Sequence, residues 1–205
     1  MSGIIARKVG MSRVFLENGE AVPVTYLKVP ANIVVRTKTK EKDGYDAVVL
    51  GIDPKKWKTR KGNEHTRYSL QKEWPVASLE GLAPGTEITV TVVPEAALVS
   101  IMGVSKGKGF QGVIKRHHFT RGPMSHGSHH HREPGSVGMR TQPGRILKGK
   151  RMPGHMGLDQ LTLKHRPVVV TDAAAGVFAV RGPVPGPNGA AVYVTIEDTP
   201  VSSKK

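Results

Sequence analysis

Cysteine is absent from this chain of 205 residues, which removes disulfides, thiol catalysis and thiolate metal sites and is compatible with a reducing compartment. Acidic side chains are scarce: 16 Asp and Glu stand against 31 Lys and Arg, for a formal net charge of +15. That balance favours nucleic acid over an acidic membrane surface, because no lipid-facing amphipathic helix accompanies it. No apolar run is long enough to span a bilayer, and the opening MSGIIARKVGMSRVF lacks the apolar core of a signal peptide. A soluble cytoplasmic protein is the expectation. Hydrophobic content of 38% supports a modest core, below that of a typical enzyme domain, while 24 Gly and 15 Pro predict turns, loops and short strands. The length leaves room for one large domain or two small ones.

What is present is concentrated in Gly103–His155, GVSKGKGFQGVIKRHHFTRGPMSHGSHHHREPGSVGMRTQPGRILKGKRMPGH. Eleven of its residues are Lys or Arg and only Glu133 is acidic, so this stretch holds +10 of the chain's +15. Its apolar residues occur singly, with neither a helix nor a strand period sustained. Compact domains rarely keep so long a loop without secondary structure unless it is functional or orders on a partner. Self-repulsion of this charge is best relieved by a polyanion, and neutralising many phosphates gives strong, salt-dependent binding. The stretch reads as a long basic arm that lies against nucleic acid.

Either side of the arm alternates as strands do. Residues 3–9 predict a first short strand, Met11–Leu16 a second piece before the Asn18–Gly19 turn, and Ala21–Val29 a strand that Pro23 limits to an edge or the start of pairing. Asn32–Thr37 and Asp46–Ile52 follow, separated by a turn at Lys42–Tyr45. Pro54–Trp74 is basic and poor in apolar residues; it reads as an insertion at about 54–80 with a short helix near Tyr68–Trp74. Trp57 and Trp74 within it suit core packing better than stacking on bases. Glu87–Val93 (EITVTVV) is a strand by alternation, and Ala97–Val104 leads into the arm. Beyond it, Gln160–Lys164 is extended, and Arg166–Thr171, Gly176–Arg181 and Ala190–Ile196 are strands. The expected fold class is mainly β: a six-stranded barrel built from residues before about 53, the 86–104 region and those after 160. The corresponding domains are 1–104 with 156–200 for the barrel, 105–155 for the arm and a mobile tail at 201–205.

Two segments of the arm imitate nucleotide motifs. Gly107–Gly112 (GKGFQG) fits G-x-G-x-x-G, but VIKRHHFTRGP follows it and the first acidic residue is Glu133, so the helix and ribose-binding acid of a dinucleotide site are missing. Gly144–Lys150 (GRILKGK) has the phosphate-loop spacing, but Arg151 stands where a magnesium-holding Ser or Thr belongs. In both, the pattern fits glycine that lets backbone approach a phosphate chain, with Lys supplying point charge. Seven of the nine His lie at 117, 118, 126, 129, 130, 131 and 155. Without Cys or nearby acids they fit phosphate, 2′-hydroxyl or base contacts better than a metal centre. No Ser–His–carboxylate set is suggested. A DNA-compacting protein would share the charge but would usually duplicate its DNA-facing element, which is not visible.

The wording of the motifs is more specific than their charge. SKGKGFQGVIKRHHF, SHG, HREPGSVG, TQPGR, LKGKRMPGHMG and VRGPVPGPNG, in that order, resemble the signature series of the bacterial form of the large-subunit ribosomal protein three family. The opening GIIARKVGMSRVFLENGEAVPVTYLKV is similar to that family's first strands. The resemblance implies a structural, non-catalytic protein that assembles early, with a six-stranded barrel near the subunit surface. Its long extension would thread through large-subunit rRNA towards the peptidyl-transferase region. It implies no cofactor and no membrane; the partners are large-subunit rRNA and neighbouring large-subunit ribosomal proteins.

The charge of the arm and the motifs carried over from the family (Lys106–Phe110, Lys115–His117, Ser125–Gly127, His131–Ser136 and Lys148–Lys150) together assign rRNA binding to Lys106, Lys108, Phe110, Lys115, Arg116, His117, Arg121, His126, His131, Arg132, Arg140, Arg145, Lys148, Lys150, Arg151 and His155. Gly107, Gly109, Gly112, Gly127, Gly135, Gly144 and Gly149 would let backbone come close to RNA. The chain departs from the pattern at Glu133, where the family commonly has a neutral or basic residue, and in the extra His129 and His130. Some bacterial members methylate a Gln directly before Thr-Pro-Gly; here the matching position is Thr141.

Overall fold

The computed structural model describes residues 3–197, so the expected tail at 201–205 lies outside the described residues. The described residues fall into two compact units, one of residues 3–104 and 160–197 and the other of residues 105–159.

In the first unit, six antiparallel strands form a hydrogen-bonded ring in the order β1 (Gly3–Phe15), β12 (Ala191–Glu197), β7 (Leu98–Val104), β10 (Gln160–Asp172), β11 (Val177–Arg181) and β2 (Ala21–Lys28), with β2 returning to β1. Two long strands bend to make the ring possible. The first half of β1 pairs with β12 through Gly3–Arg7 and its second half with β2 through Arg7–Phe15, across a bulge between Lys8 and Gly10. Likewise β10 pairs first with β7 and then with β11, and it shifts register where His165 takes a φ of 53°. An extra residue in one strand increases local bend and twist, which is what ring closure requires. The expected breaks after residue 9 and at residue 165 are therefore bulges within continuous strands.

A second sheet, in the order β5 (Glu64–Pro75), β4 (Ala47–Lys58), β3 (Asn32–Lys38) and β6 (Glu87–Ile88), belongs to the same unit. This corrects the expectation that residues 32–53 and 86–93 join the ring. Alternation identifies a strand but not the sheet it joins, and Ala47–Ile52 is buried at every position, as a strand covered on both faces must be. The expected helix at Tyr68–Trp74 is strand: Tyr68, Leu70, Lys72 and Trp74 turn one way, a period of two. The expected strand Glu87–Val93 stops at Ile88 and gives way to a 3-10 turn over Val90–Val92. Val90 and Val93 are both buried there, a spacing of three that suits a 3-10 turn and that a strand would put on opposite faces. The turn placed at Lys42–Tyr45 is one helical turn, α1 (Lys40–Asp43), ended by Gly44 at φ 83°.

The core lies between ring and sheet. Ile4, Ile5 and Ala6 are consecutive and fully buried, so both faces of β1 are covered here. Trp74 packs so closely over Gly3 that a Cβ at position 3 would run into its indole, which gives Trp74 the packing role expected for it. Asn32, fully buried, accepts from the Ile5 N–H at 2.9 Å and donates to the carbonyls of Ile5 at 3.0 Å and Pro30 at 2.8 Å. Lys8 is also buried, and its ammonium donates to the carbonyls of Val184 at 2.7 Å and Gly186 at 3.0 Å.

Across β4, Lys38 on β3 meets Glu73 on β5 at 2.7 Å, and the Tyr45 hydroxyl donates to Glu73 at 2.6 Å. The hydrogen bond from Lys38, and then that from Tyr45, holds the Glu73 carboxyl below its ordinary value of 4.5, and Glu73 in turn raises Lys38 above 10.5. A depressed carboxyl stabilises the fold above its unfolded value and loses that contribution as pH falls through the folded one; the raised Lys contributes until pH passes its folded value. The pair therefore acts across the neutral range. Lys38→Met should return the Glu73 midpoint upwards in a carboxyl NMR titration; an unmoved midpoint would assign the shift to other groups.

Candidate nucleic-acid interface

Residues 105–159 begin and end side by side. The Ser105 N–H donates to the Asp159 carbonyl at 2.9 Å, and the Asp159 N–H returns to the Ser105 hydroxyl at 3.1 Å. Next to this clasp, β8 (Gly109–Gln111) pairs with β9 (Gly154–Met156). Gly157, at φ 81°, lies against the backbone of Lys106–Lys108, where any Cβ would collide with the Lys106 carbonyl. A short helix, α2 (Val113–His117), follows, closed by His118 in the left-handed region at φ 58°. The arm thus carries short regular elements at its base, where unbroken loop was expected. The tripeptide elements and the single helical turn are too short for periodicity to reveal.

This unit has almost no interior. Val113 is its sole buried residue. Lys106, Lys108, Lys115, Arg121, Arg132, Arg140, Arg145, Lys148, Lys150 and Arg151 are all exposed, as are His126 and His155. Phe110 is 76% exposed, far more than an aromatic ring held for packing. Three of the residues expected to contact RNA are half-buried and also hydrogen-bond within the unit. Arg116 donates to the Met152 carbonyl at 2.8 Å, the His117 Nε2 lies 3.0 Å from the same oxygen, and the His131 Nδ1 lies 3.0 Å from the Pro123 carbonyl. These side chains brace the outgoing and returning segments. Glu133, the one acid in the middle of the unit, sits 2.9 Å from His130.

Among the seven glycines assigned to close approach, Gly109, Gly127, Gly135, Gly144 and Gly149 have positive φ, a backbone conformation that itself favours glycine. Gly107 is packed against Leu158, and Gly112 has open space where a Cβ would point. Sequence reasoning missed two tighter positions, Gly157 and Gly122; a Cβ on Gly122 would strike the His130 carbonyl. It also missed a hollow lined by Val137, Met139, Leu147, Arg145 and Lys150, which sets apolar surface beside cations. No local sequence signal marks such features, because each depends on chain segments that meet only after folding.

No group of His, Asp or Glu among the described residues converges on a metal position, and none of the described helices is long and apolar enough to cross a membrane. In the ring unit, Ser100 donates to Glu197, and His165 approaches the other oxygen of the same carboxylate at 2.6 Å. The Ser100 hydrogen bond, then that of His165, holds Glu197 below its ordinary carboxyl value. Because the carboxylate stands between serine and imidazole, the hydroxyl has only a weakly basic carboxylate beside it and no imidazole, and the cluster is a strand tie rather than an activated nucleophile.

Comparison with known proteins agrees with this surface. The family described as Ribosomal protein L3 matches residues 73–172. Proteins named large ribosomal subunit protein uL3 from Bacillus thuringiensis (strain Al Hakam), Bacillus mycoides (strain KBAB4) and Bacillus cereus (strain B4264) are each 43% identical over 200 residues, covering 94% of this chain and 95% of their own length. A match of that extent places the chain in the bacterial-type ribosomal protein L3 (uL3) family, as a structural, RNA-binding component of the large ribosomal subunit and, by that family identity, not an enzyme.

Proposed function

We propose that residues 105–159 are the rRNA-penetrating extension of this chain and that the six-stranded ring is a closed barrel. The extension holds large-subunit rRNA near the peptidyl-transferase centre and supports early assembly of the subunit, in the cytoplasm and beside neighbouring ribosomal proteins. The carrying observation is a unit with eleven Lys and Arg whose one buried residue is Val113. Such a unit cannot be held by a hydrophobic core, and its charge is best neutralised by phosphates. Exposed Lys suits backbone phosphates as a point charge, while Arg121, Arg132, Arg140 and Arg145 can also grip phosphates bidentately or stack on bases. Arg116, His117 and His131 serve the same end by keeping the unit in shape. Any influence on peptide-bond formation is indirect, through the shape of the RNA.

Limited trypsin digestion tests this reading. Free protein should be cut first at the exposed Arg140–Arg151 segment, and the same bonds should resist in intact large subunits. Equal resistance with and without RNA would overturn it.

A further inference from the structure

The β4–β5 hairpin outgrows its own sheet. Its inner half is core, but from Pro54 to Arg67 no residue is buried. Lys55, Lys56, Arg60, Lys61 and Arg67 are exposed there, whereas both nearby acids are engaged: Asp53 by Arg7 and Glu64 by Lys58 at 2.9 Å. Trp57 is directly opposite His65, and Lys55 directly opposite Arg67. Residues two apart on a strand share a face, so these four side chains project together. The Trp57 and His65 rings are stacked with centroids 5.1 Å apart and planes at 27°, and Trp57 is still 53% exposed. An indole supported from one side, with cations beside it, is what stacks on an unpaired base while neighbouring phosphates are neutralised.

We infer that the outer half of the β4–β5 hairpin is a second RNA-docking surface, separate from residues 105–159, which stacks an unpaired rRNA base on Trp57 and holds flanking phosphates with Lys55 and Arg67. A protein partner fits less well. The centres of protein interfaces are depleted of Lys, and Trp57 is the single large apolar side chain between Pro54 and Arg67.

The full-length protein carries the test, with protein-free large-subunit rRNA as the probe. Trp57→Leu should weaken binding about tenfold, the worth of one aromatic–base stack, without changing the salt slope. Lys55→Gln with Arg67→Gln should leave the fold intact and lower the salt slope by about 1.4, two phosphate contacts on a single strand. Trp57 emission should be quenched by saturating RNA even when Lys106, Lys108, Lys148 and Lys150 are all Gln, which separates this surface from the extension. With p-benzoylphenylalanine in place of Trp57, photolysis of intact subunits should attach rRNA. Unchanged affinity and slope in both variants, or attachment to a ribosomal protein alone, would overturn the inference.

Discussion

Neutralising Lys106, Lys108, Lys148 and Lys150 together to Gln should weaken binding to large-subunit rRNA on the order of 10²–10³-fold at 0.1 M salt. Each phosphate contact on a single strand contributes about 0.7 to the slope of log affinity against log salt, so four contacts contribute about 2.8 decades between 1 M and 0.1 M. All four Lys are exposed, so thermal stability of the free protein should stay within the scatter of surface substitutions. Competition with wild type for incorporation, read by mass spectrometry of purified subunits, should show the variant excluded most strongly at low salt, with the gap narrowing as salt rises. Equal incorporation across the salt series would move the anchoring energy elsewhere, with the hairpin around Trp57 the first place to look. A single substitution among the four should cost about one contact and be hard to detect.

The second large effect is on stability and comes from an uncharged residue. Ile5 faces Tyr193 on β12, whereas β2 begins to pair with β1 only at Arg7. The Ile5 N–H and C=O therefore meet no strand on the other edge, and the Asn32 side chain supplies the donor and acceptor that a strand would have offered. Asn32→Leu, close in volume, should leave these backbone groups unsatisfied in the interior at a cost of about 3–5 kcal/mol, since each orphaned buried group costs roughly 1–3. The urea midpoint should fall with no change in the m value. A loss below about 1 kcal/mol would mean that water reaches the site and replaces the amide. Unlike the Lys variant, this one should lose RNA binding only in proportion to unfolding.

The basic unit was legible because it depends on composition: exposed charge without a core is visible in any order of residues. The strands of the ring were legible for a related reason, since burial on one face leaves a period of two in residues such as Val99 and Ile101 or Val192 and Val194. Partnership was not. Nothing local in Asn32–Lys38 says that it pairs with Ala47–Lys58 in a separate sheet instead of entering the ring. The bracing role of Arg116 was hidden similarly, because its partner is a backbone carbonyl far along the chain, and every residue type carries one. Asn32 looked like the polar start of a strand, and only its position beside Ile5 gives it its importance.

The pairing of β1 with β12 also sets a timetable. As the chain leaves the ribosome that makes it, β2 can join β1 and β5 can fold back on β4 soon after each appears, because these partners are near in sequence. The Ile4–Ala6 segment must wait for residues 191–197, the last strand described. Until then its edge and apolar side chains are open to wrong partners, and the hazard lasts while the residues between the two strands are made. Residues 105–159 emerge well before that moment. The whole basic unit is thus synthesised before the strand that completes the ring.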